Sequence, residues 1–143
     1  MAATYTVSNH FKQQLNLGNI TFDADDFKAI LMNTTFTFDP DTHATLADVT
    51  ADQLVTGGGY TQDTKALTGV SVTEDDVNNK SAVTWDNVTW TATTGGIPST
   101  GAYIIYDDTT SDDTVCWCVD FGTDYAVPDT FSIQIQDIAY STT

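Results

Sequence analysis

The chain has 143 residues, with 20 acidic side chains against four lysines, no arginine and a formal net charge of −16. Phosphate binding rests on clustered Lys and Arg, so this balance argues against nucleic acid and anionic membrane surfaces as partners. The length predicts one domain with a real core, and no run approaches the roughly 20 apolar residues of a transmembrane helix.

Nineteen of the acids are Asp, Glu74 is the only Glu, and threonine occurs 27 times. Asp, Thr, Gly and Asn favour turns and strands, whereas the helix formers Glu, Lys, Arg and Leu are scarce. Composition therefore predicts an all-β fold with short strands and acidic loops. The charge suits solubility, saline surroundings or docking onto a basic partner. The opening stretch MAATYTVSNHFK lacks the charged-then-apolar pattern of a secretory signal. The expectation is a soluble protein made and kept in the cytoplasm until it assembles or is released.

Residues 6–17 form the predicted helix, because Val7, Phe11 and Leu15 recur at i, i+4 and i+8. Ser8 or Thr6 can cap its start, and Gly18 stands where a left-handed terminal residue belongs. Residues 20–26 read as a turn and 27–32 (FKAILM) as the first strand, continuing into the β-prone 34–38. Residues 39–59 read as a long connection, with a single helical turn at 46–49 and a flexible Gly57-Gly58-Gly59. Residues 65–74 read as the second strand, with Ala66, Val70 and Val72 on one face, before an acidic turn at 75–79. Two short strands follow at 81–85 and 88–92. Their apolar parity breaks at Asp86-Asn87, which predicts a bulge or tight turn.

After a loop over 93–101 comes the strongest hairpin signal, AYIIYDDTTSDDTVCWCVDF. Tyr103 to Tyr106 are apolar on both faces, as a central strand requires. In the second strand Val115, Trp117, Val119 and Phe121 alternate with Cys116, Cys118 and Asp120. A turn over 122–129 and a last strand over 130–139 complete the chain. Phe131, Ile133 and Ile135 are expected to face inward, with a parity shift at Ile138 and Tyr140. The whole reads as a single β-sandwich domain over residues 1–143, jelly-roll-like, with an N-terminal helical arm over about residues 1–18.

Each residue with chemistry has a plain packing or solvation reading beside it. Cys116 and Cys118, two apart on a strand, are expected on one face at a separation near or beyond the disulfide limit. With only His10 and His43 as further nitrogen ligands, neither suitably spaced, they read as reduced core cysteines. Three acidic groups, Asp23/Asp25/Asp26, Asp75/Asp76 and Asp107/Asp108/Asp112/Asp113, could offer oxygens to calcium. They lack the glycine and distal Glu of an EF-hand loop and read as solvated turns. Trp85, Trp90 and Trp117 with Tyr60, Tyr103 and Tyr106 could stack on sugars, and read first as core. Sequons at Asn19, Asn33, Asn79 and Asn87 are expected by chance in so Asn- and Thr-rich a chain. No hydrolase, zinc-protease or phosphate-loop motif occurs. The expectation is no enzyme, no catalytic residue, no cofactor and no metal.

Several segments in order carry a resemblance: a helix ending in LNLGNITFDADDFKAILMN, the loop DPDTHATLADV, GGGYT before a strand, AVTWDNVTWTATT, GAYIIYDDTTSDDTVCWCVDFGTD and a terminal FSIQIQDIAY. Together they resemble small virion structural proteins of tailed bacteriophages. The resemblance implies a capsid decoration or cement protein on the virion surface. It would be trimeric, with the major capsid protein as its partner and no catalytic residues. The alternative it implies is a tail or fibre component touching the host surface or its glycans. Residues 1–17 and the 39–60 connection are the expected contact segments.

Overall fold

The hairpin around the acidic turn is the centre of the fold, and it is longer than its apolar runs suggest. The computed structural model describes residues 3–129, 132–135 and 140–142. In chain order these contain β1 (Thr4–Val7), α1 (Asn9–Asn16), β2 (Phe27–Met32), α2 (Leu46–Val49) with a 3-10 turn at Thr50–Asp52, β3 (Lys65–Ala66), β4 (Ser71–Asp75), β5 (Lys80–Thr84), β6 (Val88–Thr91), β7 (Ile97–Asp107), β8 (Val115–Val127), β9 (Ser132–Ile135) and β10 (Tyr140–Thr142). A five-stranded sheet runs β1-β8-β7-β2-β3, a three-stranded sheet runs β10-β5-β4, and β6 pairs with β9. All pairings are antiparallel.

Alternation explains why β2 is apolar almost throughout. Ala29 and Leu31 enter one core with Tyr103, Ile105, Trp117 and Val119. Ile30 and Met32 enter a second with Ile104, Tyr106 and Cys118. Successive strand side chains point to opposite faces, so the two cores lie on opposite sides of the five-stranded sheet. The larger is closed by Val83, Val88 and Trp90 from the smaller sheets, by Trp85 between β5 and β6, and by Phe11 from α1. The smaller is closed by Phe36 and Val49 from the connection between β2 and β3. Burying one side chain of this size is worth about 1.5–3 kcal/mol, so a sheet apolar on two faces needs both coverings. The architecture is all-β and sandwich-like, with a short helix. Sheets of five, three and two strands do not by themselves define a jelly roll.

The helix starts later than its periodicity predicts. Thr6 and Val7 belong to β1, where they pair with Cys118 and Trp117 of β8. Ser8 caps α1 by accepting the Phe11 N–H at 3.4 Å, and Gly18 (φ 77°) follows the end of the helix in the left-handed region. The expected arm is thus an edge strand plus eight helical residues. Residues 34–38 make no strand and carry Phe36 over the second core. The predicted strand over 65–74 is broken in two. β3 joins the large sheet and β4 the small one, and Gly69 between them has φ +64°, with the Asp86 carboxylate where a Cβ would stand.

Residues 97–101 and 122–127, read as loop and turn, are strand: Ile97 pairs with Val127 and Thr100 with Tyr125. Pro98, Ser99 and Gly101 hid the first because they are turn formers. Pro98 and Ser99 fall in a register shift between Ile97 and Thr100, and Gly101 beside a larger one. From Thr100↔Tyr125 to Ala102↔Asp120, two steps on β7 match five on β8. The parity break at Asp86-Asn87 is a change of sheet rather than a bulge. β5 and β6 belong to different sheets, yet Val83, Trp85, Val88 and Trp90 all reach the same core. The terminal strand divides in the same way, with β9 on β6 and β10 on β5. The expected facing of Phe131, Ile133, Ile135, Ile138 and Tyr140 lies outside the described side chains.

Candidate functional site

The two cysteines do not share a face. The register shifts between Ile105↔Trp117 and Tyr106↔Val115, which makes Cys116 the extra residue of a bulge. Cys116 therefore packs in the larger core and Cys118 in the smaller. Both are free and buried. Burial pushes the Cys116 thiol well up, and nearby Asp107 adds to the shift. Burial first and Asp120 second push Cys118 up to about 12. Neither is a thiolate nucleophile at neutral pH.

The aromatic candidates are enclosed. Tyr60, Trp85, Trp90, Tyr103, Tyr106 and Trp117 are each at most 4 % exposed, so no sugar-stacking platform can be made of them. Tyr60 shows how they are held: its hydroxyl donates to Gln53 Oε1 at 2.8 Å and accepts the Leu31 N–H at 3.0 Å. The glycines before it are fixed by packing. A Cβ on Gly58 would lie 1.8 Å from the Gly96 carbonyl oxygen, and the Gly58 carbonyl accepts the Thr93 N–H at 2.8 Å. His43 is likewise structural. Its Nδ1 accepts the Asp39 N–H at 3.0 Å, and its ring stacks on Phe36 at 5.3 Å.

What the fold does bring together is acid. The 21–26 turn and the 108–113 turn meet at one end of the five-stranded sheet. The Asp108 N–H donates to the Asp26 carbonyl at 2.8 Å, and the Asp26 N–H donates to Thr109 Oγ1 at 2.7 Å. Lys28 Nζ reaches Asp108 at 2.9 Å. From α1, His10 Nε2 reaches Asp112 Oδ2 at 2.9 Å, while Asp112 Oδ1 accepts the Thr114 hydroxyl at 2.6 Å. Burial raises the Asp112 carboxyl, but the Thr114 and His10 hydrogen bonds outweigh it and leave its pKa lowered. Asp113 moves the other way, raised by burial and by neighbouring Asp108. The Asp75/Asp76 group stands apart on the β4–β5 turn, where the Asn78 side chain and N–H bind Asp75 and lower its pKa. Among the described residues no group of three or more His, Cys, Asp or Glu is placed to hold a metal ion.

Asp107, expected at the start of a solvated turn, has a fully buried side chain. It continues the alternation Tyr103, Ile105, Asp107 that fills the larger core.

The β4–β5 hairpin presents the other outward feature. β4 is an edge strand, Val72 and Val77 are exposed, and a groove along the hairpin is lined by Val72, Glu74, Asp75, Asp76 and Lys80. Among the described residues no helix is long and apolar enough to cross a membrane. The chain matches no family model, and no similar protein was found among curated proteins or solved structures.

Proposed function

We propose that this chain is a structural protein of a tailed-bacteriophage virion: a decoration protein that sits on the outside of the head and clamps neighbouring major capsid subunits. In this reading it is made in the host cytoplasm and assembles on the shell as a trimer. The resemblance in sequence supports it, and so does the charge. A net charge of −16 keeps a domain off packaged DNA and suits a basic outer shell.

The observation that carries the docking surface is the β4–β5 hairpin. Exposed Val72 and Val77 are flanked by Glu74, Asp75 and Asp76. An apolar contact ringed by charge, beside a strand edge unpaired among the described residues, is the chemistry of a protein interface. The segments expected to make contact from sequence are engaged internally in part, with Leu17 and Val55 exposed. β1 is paired into the main sheet, and Val49, Leu54 and Tyr60 are buried. The alternative, a tail or fibre protein gripping glycans, loses the aromatic platform it relied on.

Cryo-EM of the virion tests the location directly. Density for this chain on the head surface is the expected result, and density on the tail alone would sink the proposal. A Val72→Thr, Val77→Ser variant should keep its melting temperature and lose occupancy on capsids. Undiminished occupancy would remove the hairpin from the interface.

A further inference from the structure

Asp107 ends β7 with its side chain sealed in the protein. Its Oδ1 accepts the Thr109 N–H at 2.9 Å, whereas Oδ2 is buried with no hydrogen-bond partner. The bonds between the 21–26 and 108–113 turns bring Asp25 to this end of β7, where its carboxyl acts on Asp107. Asp25 is half-buried and held from behind, its Oδ2 accepting the Thr21 N–H at 2.7 Å. The two carboxyls cannot drift apart freely. Phe27 is in register with Asp107 on the adjacent strand, and backbone bonds from Asp26 and Asp108 tie the two turns together.

Among the described residues no fixed cation is paired with either. Lys28, on β2, is turned to Asp108, and His10, on α1, to Asp112. From β8 the nearest ionisable group is Cys116, a neutral thiol. A sealed carboxylate beside a second carboxyl is disfavoured as the ion. A proton or a cation would relieve it. Calcium would need six to eight oxygens at 2.3–2.6 Å, several of them water, and Asp107 Oδ2 is closed to solvent. A proton needs only the two oxygens.

We propose that Asp25 and Asp107 share one proton in the folded protein, forming a latch that clamps the 21–26 turn to the end of β7 and lets it go as pH rises. Burial first, and Asp25 beside it, push Asp107 up to about 7. Asp107 therefore keeps its proton in the fold where the opened or unfolded chain has lost it. An acid raised in the native state stabilises most below its unfolded pKa. That contribution drains away as pH climbs to the folded pKa and is gone above it. Opening of the turn should grow by about tenfold per pH unit between about pH 4 and about pH 7, then level off.

Carbon-detected NMR titration of the wild-type side-chain carboxyls tests this without any substitution. The expected result is an Asp107 carboxyl titrating near neutrality with a matching response at Asp25; titration of Asp107 in the ordinary carboxylate range would overturn the latch. Hydrogen exchange at Thr21 and Asp26, corrected for intrinsic rates, should lose protection across the same window. In Asp107→Asn, or in Asp25→Asn should the first fail to fold, that pH dependence should flatten. An unchanged slope counts against the proposal. So does a calcium-induced rise in wild-type melting temperature near pH 8 that Asp25→Asn abolishes, because it would place a cation where the proton is assigned.

Discussion

At the scale of single residues, a few backbone positions carry constraints that side-chain contacts do not reveal. Gly58 combines φ +62° with a neighbour 1.8 Å from any added Cβ, and that neighbour is the Gly96 carbonyl, which cannot swing aside. Gly95 has φ +94° with open space around it. Both substitutions to Ala carry left-handed strain of about 1–3 kcal/mol, but only Gly58→Ala adds a backbone clash. Urea unfolding should therefore show Gly58→Ala destabilised by well over that amount and Gly95→Ala within it. Equal losses would mean that the contact between the 57–59 turn and the 93–97 turn is not held in solution. The carboxylates divide by sign at the same scale. Asp48 accepts N–H bonds from Thr45 and Ala44, the first being the larger cause of its lowered pKa. Its help to α2 is therefore present above the ordinary carboxyl range and lost as pH falls, the reverse of Asp107.

At the scale of elements, α1 is the clearest case of local signal and tertiary override acting together. Its eight residues are too few to hold in isolation. The anchor is Phe11, fully buried, edge-on to Trp117 at 5.8 Å and to Phe22 at 5.9 Å. Phe11→Ala should cost about 3–5 kcal/mol and expose the 21–26 turn as well, since Phe22 packs on the same ring. Loss of amide protection confined to α1 would show the turn to be independent of it. Phe11, Ser8 and Gly18 were legible from spacing and capping chemistry, as were β2 and the apolar centre of β7. Thr6 and Val7 were not. They fit the helical period as well as the strand, and only the exposed edge of β8 decides for strand. The bulge at Cys116 was equally hidden, because period-two alternation continues through it in sequence while the register on Tyr106 does not. The site at Asp25 and Asp107 was hidden for a third reason. Each residue reads as part of an ordinary acidic stretch, and 82 positions of sequence separate residues that the β2–β7 pairing and the turn contacts bring to one end of the sheet.

At the scale of the whole molecule, charge rather than packing sets the response to surroundings. One lysine ion pair is present among the described residues, Lys28–Asp108, beside the His10–Asp112 hydrogen bond, against a net charge of −16. Most carboxylates therefore repel one another with nothing fixed nearby to offset them, and compaction brings them closer than the unfolded chain does. Surface repulsion acts over a Debye length of about 30 Å at 0.01 M salt and about 8 Å at 0.15 M. The first spans much of a domain of this size; the second reaches little beyond adjacent turns. Raising NaCl across that range should raise the melting temperature by a few degrees, about 3–5 °C for each kcal/mol of relieved repulsion. The shift should be at least as large for the Lys12→Gln variant, which removes one of the four lysine charges. Scanning calorimetry at matched ionic strength in sodium and calcium salts separates screening from binding. Equal shifts mean that the acidic turns act as a diffuse field. A larger shift in calcium that saturates at low concentration would mean that some of these turns close on the ion, and the account of the surface as uncompensated charge would have to be abandoned.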